Sequence, residues 1–197
     1  MAEGGHTYKW PRPSLTVDAV IVAAPESGSS AKLLLIQRKH DPFAGAWALP
    51  GGFVDENEPL DQAAARELQE ETGVNPVDVL LTQVGAFGDP GRDPRGWCVS
   101  VAYAALVPTT ELGVQAADDA EAAHWYDMQQ LPKLAFDHKL IVRTALRHLA
   151  GQEAVQQRAG LRDQLAAAAE KLEGPWQERA PRKVGTEDRT THAVRDM

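Results

Sequence analysis

The stretch that decides the fold runs from Gly52 to Val74, GFVDENEPLDQAAARELQEETGV. Its latter part predicts a helix from about Pro59 to Thr72. Proline stands in the first turn, where its missing amide is no loss, and Gly73 follows the last helical residue. On a wheel of roughly 100° per residue, Leu60, Ala64 and Leu68 form one apolar stripe, and Glu67 and Glu71 fall about 20° either side of Leu60. An ordinary surface helix sets its acids opposite the stripe, where this one carries Gln62, Ala65 and Gln69. Two carboxylates therefore face inward or towards a rim.

That arrangement has a cost. Glu67 and Glu71 are like charges four residues apart, and Glu67 and Glu70 are three apart, spacings that destabilise a helix by a few tenths of a kcal/mol even in water. Partial burial raises the cost. Carboxylates gathered in this way are hard ligands for Mg²⁺, which keeps several waters and fills its octahedron with substrate phosphates. The alternative is a surface cluster balanced by Arg66 and solvent.

The whole stretch fits the pattern G-x5-E-x7-R-E-U-x-E-E-x-G-U, U being a bulky aliphatic, at Gly52, Glu58, Arg66, Glu67, Leu68, Glu70, Glu71, Gly73 and Val74. It resembles the box of the Nudix hydrolases, a family that splits a nucleoside diphosphate from another group with a divalent metal. The resemblance implies that Glu67, Glu70 and Glu71 are metal ligands or the water-activating base, and that the carbonyl of Gly51 is a further ligand. It places Glu67, Glu70 and Arg66 in the catalytic group, with Arg66 and Glu58 forming an ion pair that orients the acids. A base from the acidic stretch Asp118, Asp119 and Glu121 is the competing assignment. Mg²⁺ is the implied cofactor, with Mn²⁺ as a substitute.

Outward from the box, Leu15 to Ala24 and Lys32 to Arg38 are β-favouring runs separated by the Pro-, Gly- and Ser-rich stretch Pro25 to Ser30, which reads as a hairpin. Further strands are expected at Val79 to Phe87, Cys98 to Val107 and Ala122 to Asp127, then a helix from about Asp137 to Leu149. Strands and helices mix without the alternation of a doubly wound sheet. The fold class is α+β, a Nudix-type mixed sheet sandwiched between helices. Residues 1–150 form that domain. Residues 151–173 read as one extra helix, Gln152 to Glu173, with the stripe Val155, Leu161, Leu165 and Leu172. Residues 174–197 have too few large apolar side chains to offset ordering entropy and read as a flexible tail.

The loop Gly88-Asp89-Pro90-Gly91-Arg92-Asp93-Pro94-Arg95-Gly96 precedes Trp97 and the strand from Cys98. It resembles the substrate loop of the ADP-ribose pyrophosphatase branch, in which a proline likewise follows the box by sixteen positions, as Pro90 follows Val74 here. The resemblance covers roughly Tyr8 to Leu149 and names Pro90, Arg92 and Arg95 as substrate-binding. The arginines can grip phosphate or ribose oxygens, or pair with Asp89 or Asp93 to stiffen the loop. Leu134 to His138 resembles the same branch and the related regulators of NAD metabolism, with His138 a structural residue at a helix start. Trp10, Phe53 and Trp97 are candidates for stacking on a base.

A net charge of −8 opposes a broad basic face for nucleic acid. No run approaches the roughly 20 apolar residues of a membrane span, and Met1 to Lys9 lacks the character of a secretory or transit leader. The single cysteine, Cys98, excludes an internal disulfide and reads as buried and inert. The expectation is a cytoplasmic enzyme with a small nucleotide substrate, no nucleic-acid or membrane partner, and a homodimeric state suggested by the resemblance and by the stripe of the Gln152 to Glu173 helix, which seeks a partner. Hydrolysis of ADP-ribose to AMP and ribose 5-phosphate is the leading reaction. The alternatives are hydrolysis of oxidised nucleoside triphosphates and a non-catalytic Nudix-related regulator sensing an NAD metabolite. Against the regulator stand the intact box and a segment after Gly151 too short for a winged helix.

Overall fold

A computed structural model of the chain describes residues 8–25, 29–115 and 120–174. Strand β1 (Ser14–Ala23) is its axis. It pairs antiparallel with β2 (Lys32–Arg38) through Val22↔Leu33, closing the expected hairpin. On its other side it runs parallel to β6 (Cys98–Val107) along its whole length, from Ser14↔Cys98 to Ala23↔Val107. Two short strands, β3 (Trp47–Ala48) and β4 (Gly51–Phe53), flank a turn, and β4 pairs with β1 through Asp18↔Gly51. Strand β5 (Thr82–Phe87) edges β6, and β7 (Ala120–Asp127) edges β2. One parallel pairing among antiparallel ones makes the sheet mixed, as expected.

The sheet is buried on both faces because β1 is apolar on both. Ala19, Ile21 and Ala23 pack towards Leu68 of helix α1 (Leu60–Thr72). Val20 and Val22 pack towards Ile141, Ala145 and Leu149 of helix α2 (His138–Ala150). Helix α1 starts after Pro59 and ends at Gly73, whose φ of 71° reverses the chain so that its amide returns to the Gln69 carbonyl.

Two differences from the sequence reading have local causes. The strand expected from Val79 begins only at Thr82, because Pro76–Asp78 forms a short 3-10 turn whose amide at Val77 is capped by the Asn75 side chain. The single C-terminal helix expected over Gln152 to Glu173 is two, α3 (Glu153–Gln156) and α4 (Ala159–Lys171). The Gln157-Arg158 break lets the Arg158 guanidinium reach the carbonyls of Ala24 and Pro25, while Val155, Leu161 and Leu165 are buried against α2. The helices thus cover the α2 face of their own sheet. The tail beyond Gly174 lies outside the described residues, as do Asp118 and Asp119.

Candidate active site

Helix α1 delivers its acids as the wheel indicates. Glu67 and Glu71 line a cleft of about 360 Å³ together with Gly51 and Gly52, and Glu70 stands outside it, half-exposed. Glu71 accepts the Gly51 amide at 2.8 Å. Burial lifts its carboxyl from the ordinary 4.5 to about 8; the Gly51 amide opposes the rise, and the negative charges of Glu67 and Asp18 add to it. Burial raises Glu67 too, against the pull of Arg66. Two adjoining carboxylates that resist ionisation are a donor set a divalent cation would stabilise. Among the described residues no group of three or more acidic, histidine or cysteine side chains is placed to hold a metal ion by itself.

The turn before the box is shaped by close approach. Gly51 has a φ of 155°, and a Cβ there would lie 2.1 Å from the Val17 carbonyl oxygen. At Gly52 a Cβ would overlap the Glu67 carboxylate. No side chain fits between turn and helix, so backbone and carboxylates share one small volume.

Arg66 is a hub. It meets Glu58 through two hydrogen bonds of 2.7 and 2.9 Å, Glu67 and Glu70 at 2.9 Å each, and the Phe53 carbonyl at 3.0 Å. The Arg66 bonds, with the Asp55 amide, hold the Glu58 carboxyl down at about 2. The pairing with Glu58 is the orienting contact that the sequence suggests. It also fixes the loop between β4 and α1.

The loop that carries Pro90, Arg92 and Arg95 divides its labour. Pro90 is exposed and does not line the cleft. Arg92 is 4% exposed, and its guanidinium forms a two-point bond with Asp137, at 2.8 and 2.7 Å, and lies 3.9 Å from Asp18. Its partner is therefore neither Asp89 nor Asp93 but a residue at the start of α2, because the loop folds its stem into the sheet's end. Burial works against the charge of Arg92, yet the Asp137 bond prevails and keeps it firmly protonated. Arg95 does pair within the loop, with Asp93 at 2.7 Å. Its guanidinium also lies 5.0 Å from the ring of Phe53 and 5.5 Å from that of Phe136. It is the more exposed arginine and stands at the rim. Of the aromatic candidates, Phe53 lines the cleft, and all three of Trp10, Phe53 and Trp97 are exposed. Glu121 is exposed on β7 and outside the lining of the cleft.

Sequence reading missed Asp18. It is 6% exposed, accepts the Ser100 hydroxyl, and faces His138 Nε2 at 3.4 Å. The signal was an acid in the middle of LTVDAVIVAA, a run buried on both faces. His138 is buried at the first turn of α2, on the wall of the cleft, and its Nδ1 accepts the Leu49 amide at 2.9 Å. Burial lowers its pKa, more than the neighbouring Asp18 and Asp137 raise it. The basic side of the cleft, Arg38 and Lys39 at the end of β2, was missed as well.

A Nudix-box helix, a cleft of paired carboxylates and a mixed sheet between helices define a Nudix pyrophosphohydrolase. A family model described as the NUDIX domain matches residues 14–147, and the chain belongs to that family. It is 42% identical over 135 residues to an ADP-ribose pyrophosphatase of Methanocaldococcus jannaschii, covering 68% of this chain and 74% of that one. It is 38% identical over 144 residues to an ADPR responsive transcriptional repressor of Acinetobacter baylyi, covering 71% of this chain and 56% of the repressor. The NUDIX domain of Shewanella oneidensis NrtR, solved with ADP ribose, superposes with a TM-score of 0.62 at 38% identity, covering 71% of this chain and 90% of that one. Among the described residues no helix is long and apolar enough to cross a membrane.

Proposed function

We propose that this protein hydrolyses ADP-ribose to AMP and ribose 5-phosphate with Mg²⁺ or Mn²⁺. The observation that carries the reading is the cleft in which Glu67, Glu71 and the Gly51 turn meet beneath a rim holding Arg95, Arg38 and Lys39. A pyrophosphate needs cationic partners on both sides, and here the acids would supply one side through a metal while the basic side chains supply the other. The metal, when bound, polarises the pyrophosphate and lowers the pKa of the attacking water. Glu71 and Glu67 would hold it with the Gly51 carbonyl, and Glu70 would join them or take the water's proton. Arg66 keeps Glu67 and Glu70 oriented, and Arg95 steadies the phosphosugar end. The likeness to the ADP-ribose pyrophosphatase and to the ADP-ribose-bound domain supports that substrate over an oxidised triphosphate.

The test is a phosphatase-coupled phosphate assay across a nucleotide panel, with and without chelator. ADP-ribose is expected to lead the panel, and chelator to abolish turnover. Preference for an oxidised triphosphate, or full turnover in excess chelator, would refute the assignment.

The second reading, a regulator, is favoured by the 38% identity to a repressor. The chain spans 56% of that repressor's length, and the acids of the box are complete. A gel shift with operator DNA of NAD-metabolism genes separates the two, and we expect no shift. We further propose a cytoplasmic setting, consistent with a nucleotide substrate and the single buried Cys98, and a homodimer, which sedimentation at micromolar concentration tests.

A further inference from the structure

Gly51 is gripped from both sides by residues that answer to one imidazole. Two residues before it in the chain, the Leu49 amide donates to His138 Nδ1 at 2.9 Å. Across the sheet its register partner is Asp18, whose Oδ1 lies 3.4 Å from His138 Nε2. A backbone amide can only donate, so Nδ1 carries no proton; the neutral ring then carries it on Nε2, the atom facing a carboxylate. Each nitrogen thus has a distinct task, and neither is interchangeable with the other.

The ring itself is held in place. Phe136 stacks on it, with centroids 5.2 Å apart and planes 30° apart, and does so from a left-handed backbone with φ of 49°. Such a conformation is unfavourable for a non-glycine residue and persists where surrounding contacts enforce it. The residue between them, Asp137, holds Arg92 of the Gly88–Gly96 loop through two hydrogen bonds. Three consecutive residues at the start of α2 therefore meet the rim, the substrate loop and the metal-facing turn.

We propose that His138 is a positioning residue that fixes the Gly51 turn for metal binding and ties it to the loop carrying Arg92 and Arg95. The inference rests on the metal-dependent reading of the cleft. His138 borders the cleft, but its two ring nitrogens meet the Leu49 amide and Asp18, and it acts through them. The Leu49 contact fixes the backbone directly, whereas the Asp18 contact acts through a carboxylate that Ser100 and Arg92 also hold. Loss of the Nδ1 acceptor should matter more.

The two contacts can be separated, because asparagine places an oxygen near the position of Nδ1 and glutamine reaches the position of Nε2. Binding of Mn²⁺ alone, followed by electron paramagnetic resonance, is measured on wild type, His138→Asn, His138→Gln and Glu71→Gln, with Tm for each. His138→Asn is expected to keep nearly wild-type affinity and His138→Gln to lose about tenfold, the scale of changes in the shell behind a metal ligand. Equal affinity in the two variants, or the reverse order, overturns the proposal. A purely structural histidine would lower Tm without distinguishing which nitrogen was replaced. Imidazole ¹⁵N shifts of the wild type at pH 7 give a readout that needs no variant: the Nε2–H tautomer is expected, and the Nδ1–H tautomer or an imidazolium overturns it. Failure of the underlying reading looks different. A wild type that binds no Mn²⁺, or a Glu71→Gln variant that binds it as well, overturns the metal site and this inference together.

Discussion

Glu71→Gln should stabilise the metal-free protein while removing metal affinity, and the size of the gain follows from the structure. The folded carboxyl titrates at about 8 against an ordinary 4.5, chiefly because it is buried. A raised folded pKa means that the favourable contribution is fully present below about 4.5 and is lost as pH rises through about 8. In that window the folded state holds a proton that the unfolded state has released, so stability falls with pH. At about 1.4 kcal/mol per pH unit, the penalty reaches about 3 kcal/mol at pH 7 and levels off near 5 kcal/mol above pH 8, both as upper bounds. Glutamine carries no charge to desolvate, yet its carbonyl can still accept the Gly51 amide. Denaturant unfolding in excess chelator, from pH 5 to 9, should therefore show wild type and variant diverging as pH rises to about 8 and running parallel above it. The difference between the curves isolates Glu71 from other groups, such as Glu58, whose depressed pKa adds stability that is lost only as pH falls from 4.5 towards about 2. Calorimetry adds a second readout, since metal binding to the wild type at pH 7 should release close to one proton from Glu71, whereas the variant should show no binding heat. Parallel curves across the whole range would refute the claim that Glu71 is buried at an electrostatic cost which metal relieves.

Arg92→Ala should lower stability: it strands buried Asp137 and Asp18, and loss of one partner of a buried pair costs about 3–5 kcal/mol. A Tm within a degree or two of wild type would contradict that. Arg95→Ala should leave the fold intact and lower kcat/KM for ADP-ribose by about 1–3 kcal/mol, the scale of a charged hydrogen bond lost. Unchanged kinetics would release Arg95 from its assigned role. Gly51→Ala should abolish metal binding or folding outright, since its Cβ would meet the Val17 carbonyl at 2.1 Å; a well-folded, metal-binding variant would mean that the turn can rearrange.

The helix of the box was legible because three kinds of signal coincide in it. Periodicity, the proline start and the glycine stop fix its ends, and the unusual placement of Glu67 and Glu71 beside the apolar stripe announces a site. The long strands β1, β2 and β6 were legible for a similar reason, as continuous apolar runs bounded by breakers. The two- and three-residue strands β3 and β4 were not. Their pairing depends on the Leu49 to Gly52 turn being pressed against β1 and α1, a tertiary fact with no local pattern. The parallel β1–β6 pairing joins residues 84 apart in the chain, such as Ser14 and Cys98, and nothing in either segment names its neighbour. Arg92 and Arg95 look alike in sequence, two arginines three apart in one loop. What separates them is that one is enclosed against Asp137, 45 residues on, and the other stands at the rim.

That separation divides the cleft between a buried network and an exposed rim. Asp18, Ser100, Arg92, Asp137 and His138 form a buried polar network at the end of the sheet, and Asp18, Arg92 and His138 also line the cleft. Buried polar groups are tolerated when each is partnered, and a network of this kind stiffens the region it occupies. Here the stiffened parts are the stem of the Gly88–Gly96 loop and the turn before α1. A rigid loop over a cleft can hold a ligand whether or not it is cleaved. Turnover needs, in addition, carboxylates placed where a metal and a pyrophosphate meet, and those come from α1, a different element on the other face of the sheet. The network and the α1 acids thus line one cleft from different elements, and loss of the acids alone would leave the network's own contacts in place. In this chain Glu67, Glu70 and Glu71 are all present, with Arg66 holding two of them, which is why catalysis and not sensing alone is the reading its residues support.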